Sequence, residues 1–269
     1  MIVHASTKLD ISNYIKWLHN RLTAGYFDKE QDSNTINRYV LKDIEELVLY
    51  TRNPSKIYRN RDLFEKYNTK LITFVSLYDQ YYEPKIKNKE KIFNAVRKCK
   101  KDFNNYFGYG PIFFTNNHSK EWHLLQFEFL CQSFKGFVNG CYLDFTVNGF
   151  CQKSEKLNVR MLNELEQRDM IEELSSIAKK YDIDIYMMKR ENEFAENEID
   201  MGLVNCCPNA CEYCINILNK KAAKDKFQVF DEENSLLYGI ISPNQKIVEI
   251  DIEKPKEETF SQSTLFDFL

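Results

Sequence analysis

Residues Cys207-Pro208-Asn209-Ala210-Cys211-Glu212-Tyr213-Cys214 place three thiols at the spacing C-x3-C-x2-C, with an aromatic residue just before the last. Three thiolates on one short loop can hold three irons of a cubane [4Fe–4S] cluster and leave the fourth iron open to another ligand. A structural zinc site takes four protein ligands, usually as paired C-x2-C knuckles. No second knuckle accompanies this loop, although the adjacent Cys206 supplies a fourth thiol that keeps zinc open. Free or disulfide-bonded thiols are the third alternative. The unpaired knuckle makes the cluster the preferred reading, with Cys207, Cys211 and Cys214 as its ligands.

The chain that must position this loop has 269 residues, which suits one large α/β domain or two small ones. Its eight cysteines include Cys99, Cys131, Cys141 and Cys151, scattered singly and read as small buried hydrophobes. No apolar run is long enough to span a bilayer and no signal peptide opens the chain, so reduced thiols, a cytoplasmic location and no membrane partner are expected. A net charge of −3 excludes a surface that is basic throughout. Lys85 to Lys101 nevertheless holds eight Lys or Arg against one Glu. A local basic face can bind phosphates, which nominates Lys98, Lys100 and Lys101 as nucleic-acid contacts; the alternative is a solvated helix face.

Ile2 to Ala5 reads as a short buried strand, followed by a helix through Tyr14, Trp17 and Leu22 that Gly25 can end. A polar loop is expected next. Further strands are expected at Glu46–Tyr50, Leu71–Leu77, Tyr109–Thr115, Cys141–Phe145 and Ile183–Met188. Helices fall between them: the basic one, one through His123 and Leu130, and a long one from Val159 to Lys180 with an interruption near Asp169. Alternating strands and helices predict a parallel sheet curled into a partial (β/α)6 TIM-barrel-like fold, with the cluster loop after the last barrel strand. The expected organisation is a barrel over residues 1–190, a cluster loop and cap over 191–252, and a flexible tail over 253–269.

In such a barrel the loops after the strands meet at the C-terminal mouth. The strand ends therefore nominate Ser6, Asp10, Thr51, Asn53 and Ser76 as cofactor contacts, and Tyr78, Glu83, Tyr109 and Asp144 as catalytic candidates. Each also has a plain alternative as a cap, a turn former or a core group.

The cysteine loop resembles that of radical S-adenosylmethionine (radical SAM) enzymes. Over roughly residues 1 to 240 the chain is similar to an uncharacterised microbial family grouped with spore photoproduct lyase-like radical SAM proteins. The stretches that carry the resemblance are Thr7-Lys8-Leu9-Asp10-Ile11, Tyr50-Thr51-Arg52-Asn53-Pro54, Glu83-Pro84, Gly108-Tyr109-Gly110-Pro111-Ile112, Ile199-Asp200-Met201-Gly202 and Asn234 to Gly239. The resemblance implies that S-adenosylmethionine chelates the open iron and that an external donor supplies an electron. It also implies a barrel fold. The chain departs from the family at Thr7-Lys8, where paired arginines stand, and at Gly108 and Gly110, where an Arg and an Asp stand. The family's upstream Cys-x-Cys is missing from Glu191 to Glu198.

The chain ends Gln262-Ser263-Thr264-Leu265-Phe266-Asp267-Phe268-Leu269 after a charged segment. Gln262, Leu265, Phe266 and Phe268 resemble the short peptide by which replication and repair proteins dock on a sliding clamp. Three functions follow as alternatives. The first is a radical SAM enzyme for DNA or nucleotides, in repair or base modification. The second is a non-catalytic iron–sulfur or zinc module attached to the replication machinery. The third is a radical SAM enzyme for a peptide or small metabolite.

Overall fold

The computed structural model describes residues 1–75, 78–86, 88–145, 158–189, 191–209 and 211–252. Within these, seven parallel strands form one sheet. They are β1 (Ile2–His4), β4 (Glu46–Thr51), β5 (Thr69–Phe74), β6 (Asn104–Ile112), β7 (Gly140–Phe145), β8 (Asp184–Met187) and β9 (Glu198–Asp200). Their spatial order is β9-β1-β4-β5-β6-β7-β8. Short apolar runs rich in Val, Ile, Leu and aromatics suit parallel strands covered by helices. Leu47, Leu49, Leu71 and Val3 lie buried under the outer helices, whereas the alternate residues Val48, Tyr50 and Ile72 belong to a separate cluster on the other face. Tyr186 of β8 and Glu198 of β9 come from opposite edges of the sheet yet line one cavity with Ile72. The sheet is thus curled into a half-barrel with a lumen.

The helices have local causes. In α1 (Ile15–Ala24) the chain turns out at Gly25, whose φ of 76° puts it in the left-handed region that ends helices. Asn88 caps α3 (Lys89–Cys99) and Ser119 caps α4 (Lys120–Phe134) through side-chain oxygens. Helix α5 (Glu164–Lys179) opens on a reciprocal capping box between Asn163 and Glu166 and runs through Asp169 without a break. The short α2 (Ser55–Arg59) follows β4, and α6 (Lys220–Gln228) follows the cysteine loop.

Besides the unbroken α5, which starts at Glu164 rather than Val159, three features differ from the sequence expectation. The polar stretch after Gly25 is not a loop: β2 (Tyr26–Asp32) and β3 (Thr35–Val40) form an antiparallel hairpin, and β10 (Lys246–Asp251) pairs parallel to β3. Phe27 and Ile36 are its fully buried anchors, and Asp28 is compensated by two bonds of 2.9 Å from Arg38. Next, β6 starts five residues earlier than Tyr109, because Asn104 to Phe107 pair with β5. Finally, a seventh parallel strand, β9, lies beside β1, so the barrel strands number seven rather than six. No described helix is long and apolar enough to cross a membrane.

Candidate metal centre

The C-terminal ends of the strands surround a cleft of about 880 Å³, counted with its open mouth. Thr7 to Asp10 enter it after β1, Thr51 and Arg52 at the end of β4, Phe74 from β5, Asp144 from β7 and Met188 after β8. The loop after β9 completes the wall with Cys207, Asn209, Cys211, Tyr213 and Cys214. Ligand sites in parallel α/β sheets lie at this end because the connecting loops converge there.

The cysteine loop is tied down on several sides. Asp10 is buried and accepts from Thr51 Oγ1 at 2.7 Å, from the Ser12 and Arg52 amides, and from Asn209 Nδ2 at 2.7 Å. It therefore braces the first, second and last strand loops against one another. Glu83, 1% exposed, accepts from Arg52 Nη1 at 2.6 Å and from the Tyr213 hydroxyl. The Arg52 guanidinium lies 5.5 Å from the Tyr213 ring centroid. The Glu212 amide donates to Tyr82 O at 2.9 Å. Gly202 packs so closely on the β1 loop that a Cβ there would stand 2.7 Å from Ser6 Cβ. Gly110, at φ 152°, is equally constrained: a Cβ would stand 2.7 Å from Asp144 Cβ, so no side chain has room at this position.

The thiols of the loop form the donor set on the cleft. Cys207 and Cys211 are buried and Cys214 half-buried, all on the cleft wall. Cys206 turns away, donating its thiol to Val204 O and packing with the core under α1. Among the described residues no three Cys, His, Asp or Glu side chains are grouped closely enough to hold a metal ion. Zinc–thiolate bonds of about 2.3 Å would bring sulfurs to about 3.8 Å from each other, whereas a cubane spreads its ligands over a body several ångströms across. Burial pushes the Cys211 thiol up to about 12, against the lowering effect of Arg52, and raises Cys207 further. Such thiols are neutral until a cation binds and displaces their protons.

The structure brings together Asp10, Thr51, Asp144, Cys207, Cys211 and Cys214 on the cleft. Glu83 stands one layer behind, reaching the cleft through Arg52 and Tyr213. Ser6 is instead a turn former, accepting from the Lys8 and Leu9 amides. Asn53 is exposed and caps its own turn at the Ser55 amide. Tyr78 stacks on Phe113 at 4.3 Å and donates to Pro111 O, while Tyr109 bonds to His123; both face the core under α4, away from the cleft. Lys98, Lys100 and Lys101 end α3, which runs antiparallel to the strands, so they lie at the N-terminal edge of the sheet beside Gly136, opposite the cleft. Ser76 and the tail residues Gln262, Leu265, Phe266 and Phe268 lie outside the described residues. The strand-end pattern nominated the stretch Thr51 to Asn53 without giving Arg52 a role, and Asn209 was not nominated. Their signal was the position of each: one follows a strand end, and the other sits between two cysteines.

Fold and site define an α/β half-barrel with a thiol-lined cleft at its mouth. Residues 2–199 match the model of the family described as a domain of unknown function, DUF1848, and the chain belongs to that family. The match stops short of the cysteine loop. No curated protein and no solved structure matches the chain.

Proposed function

We propose that the protein is a radical S-adenosylmethionine enzyme acting on DNA or a nucleotide, with a [4Fe–4S] cluster held by Cys207, Cys211 and Cys214. The observation that carries this reading is that the three thiols of the C-x3-C-x2-C loop line one cleft at the barrel mouth while Cys206 faces away from it. When bound, the cluster supplies the electron that cleaves S-adenosylmethionine to a 5′-deoxyadenosyl radical able to take hydrogen from an unactivated C–H bond. The chain's own residues hold and orient. Asp10 and Glu83 fix the cysteine loop through Asn209 and Tyr213. Lys8 and Arg52 put positive charge on the cleft and Asp144 puts negative charge there, matching the carboxylate and ammonium ends of an amino-acid moiety. Phe74, Met188, Ile215 and Ile217 supply apolar wall that limits water around a reactive species.

The nucleotide assignment draws on the spore photoproduct lyase-like resemblance and the clamp-like tail; Lys98, Lys100 and Lys101, at the far end of α3, lie at the opposite edge of the sheet from the cleft. One observation favours the second reading, a non-catalytic iron–sulfur or zinc module: glycines stand where the family carries Arg and Asp, and Gly110 leaves no space for a side chain. The deciding experiment is anaerobic reconstitution with iron and sulfide, followed by reduction with S-adenosylmethionine present. Formation of 5′-deoxyadenosine above a Cys211→Ala control is the expected result. Full iron loading with no 5′-deoxyadenosine, with and without oligonucleotide, would establish the non-catalytic module instead.

A further inference from the structure

Beneath the cleft, the lumen of the half-barrel holds a second cavity of about 710 Å³, counted in the same way as the cleft. Tyr50 and Met188 line both spaces, so the two adjoin. The lumen is lined by a mixture that a purely structural core does not need. Ile72 and Val48 are apolar, and the rings of Tyr142 and Tyr186 stack at 5.2 Å to form an aromatic wall. Its charges cancel in pairs: Lys70 holds Glu46 at 2.7 Å and Lys189 holds Glu198 at 2.9 Å. Such a lining favours a neutral, planar ligand over an ion.

Two buried polar atoms in this lumen are left without hydrogen bonds: Nε2 of His4 and Oε2 of Glu198. Their side chains are 8% and 7% exposed, and the atoms stand 3.4 Å apart without the alignment of a hydrogen bond. Each atom has the other as its neighbour, and a misaligned 3.4 Å contact leaves both with hydrogen-bonding capacity that a ligand can take up. Burial lowers the proton affinity of His4, so its imidazole is neutral and carries one N–H. Were that proton on Nδ1, the Nε2 lone pair would face the Glu198 carboxylate. Placing it on Nε2 removes this repulsion and lets the Tyr50 hydroxyl donate to Nδ1 across 2.7 Å. The lumen therefore presents a donor, His4 Nε2–H, beside an acceptor, Glu198 Oε2.

We infer that the lumen is a nucleobase pocket selective for the amino-substituted edge of adenine or cytosine. In those bases a ring nitrogen that accepts stands next to an exocyclic amine that donates, the complement of His4 and Glu198. Hypoxanthine and uracil present the reverse order, setting N–H against N–H and carbonyl against carboxylate. Tyr142 and Tyr186 offer the base an aromatic surface. The sugar then points past Tyr50 and Met188 into the cleft. As a substrate pocket this rests on the nucleotide-directed reading above; as a binding site it needs no cluster.

The test is calorimetric titration of the full chain, without reconstitution, with adenosine, inosine, cytidine and uridine. Adenosine and cytidine are expected to bind at least about tenfold more tightly than inosine and uridine, because a site built to hydrogen-bond one edge rejects its inverse. Glu198→Gln, whose amide can turn to donate, is expected to abolish that preference while retaining binding. This variant also separates the lumen from any adenosine contact in the cleft. Equal affinity within each pair, no binding by any of the four, or an unchanged preference in Glu198→Gln overturns the inference. If Glu198→Gln does not fold, the paired comparison in the natural chain decides alone. Failure here together with 5′-deoxyadenosine formation removes only the pocket; selective binding without 5′-deoxyadenosine removes only the radical chemistry.

Discussion

Arg52→Met is expected to destabilise the protein far more than a surface change, and Glu83→Gln in the same chain is expected to recover part of the loss. The Arg52–Glu83 pair is 2.6 Å long, with side chains 15% and 1% exposed. Removing the guanidinium leaves a buried carboxylate with the Tyr213 hydroxyl as a remaining donor. Breaking a buried pair from one side costs about 3–5 kcal/mol, chiefly the penalty of the stranded charge. For a chain of this size each kcal/mol shifts the melting temperature by about 2–4 °C, so Arg52→Met should lower it by roughly 10 °C. The double variant strands no charge and should cost about 2 kcal/mol less than the sum of the single variants. Denaturant unfolding of the four proteins measures this coupling. Single-variant losses that simply add, within about 0.5 kcal/mol, would refute the claim that the two side chains act as one brace. The brace also has a functional readout: both single variants should take up less iron on reconstitution, because Glu83 anchors Tyr213 between Cys211 and Cys214.

Alanine at Cys207, Cys211 or Cys214 should abolish the iron–sulfur absorbance of the reconstituted protein, whereas Cys206→Ala should keep it; loss on Cys206→Ala would point to a four-cysteine site. Burial holds the His123 imidazole down to about 4, so the unfolded chain takes up a proton first as pH falls below its ordinary value near 6.5. The associated stability is complete above pH 6.5 and is lost as pH falls through 4, by about 3 kcal/mol, and His123→Gln should flatten that stretch of a stability–pH curve. Deleting residues 262–269 should remove clamp binding in a pull-down with the clamp of the source organism or its host and leave the reconstituted absorbance unchanged; equal capture of both forms would separate the tail from clamp docking.

Much of the barrel was legible because its strands are short apolar runs that only a covered sheet can bury. Leu47 to Tyr50, Leu71 to Phe74 and Cys141 to Phe145 all fell where the pattern put them. The hairpin of β2 and β3 was not legible, since Asp28, Lys29, Glu30, Gln31 and Asp32 read as solvent-loving residues. Only the tertiary pairing of Asp28 with Arg38 and the burial of Phe27 and Ile36 make that segment a strand. Strand β6 was placed late because Asn104 and Asn105 carry no apolar signal, although Asn105 is fully buried and donates to Val96 O and Phe137 O. At the site, strand ends named the right neighbourhood but not which side chain turns inward. Arg52 reaches the cleft where Asn53 turns back to cap the Ser55 amide, and Tyr109 points at α4 while its neighbour Gly110 lies under Asp144.

The position of the cysteine loop at the end of the barrel, rather than after its first strand, loses its oddity once β9 is seen beside β1. Ile2, Val3 and His4 pair in register with Glu198, Ile199 and Asp200. A loop that leaves β9 therefore emerges next to the loop that leaves β1, whatever their separation in sequence. The Met201 amide donates to His4 O at 2.9 Å, Thr7 bonds to Asp200 through both its amide and its hydroxyl, and Asn209 reaches Asp10 across 199 residues of chain. The Tyr14 hydroxyl, just past the first loop, bonds to the carbonyl of Cys206. In a curled parallel sheet, the last strand closing against the first makes their two exits one place. The same pairing sets Ile2 across from Glu198 and His4 across from Asp200, and brings the His4 imidazole within 3.4 Å of the Glu198 carboxylate in the lumen, one level below the thiols. A single strand-to-strand seam thus builds both the wall that carries the cysteines and the donor–acceptor pair beneath it.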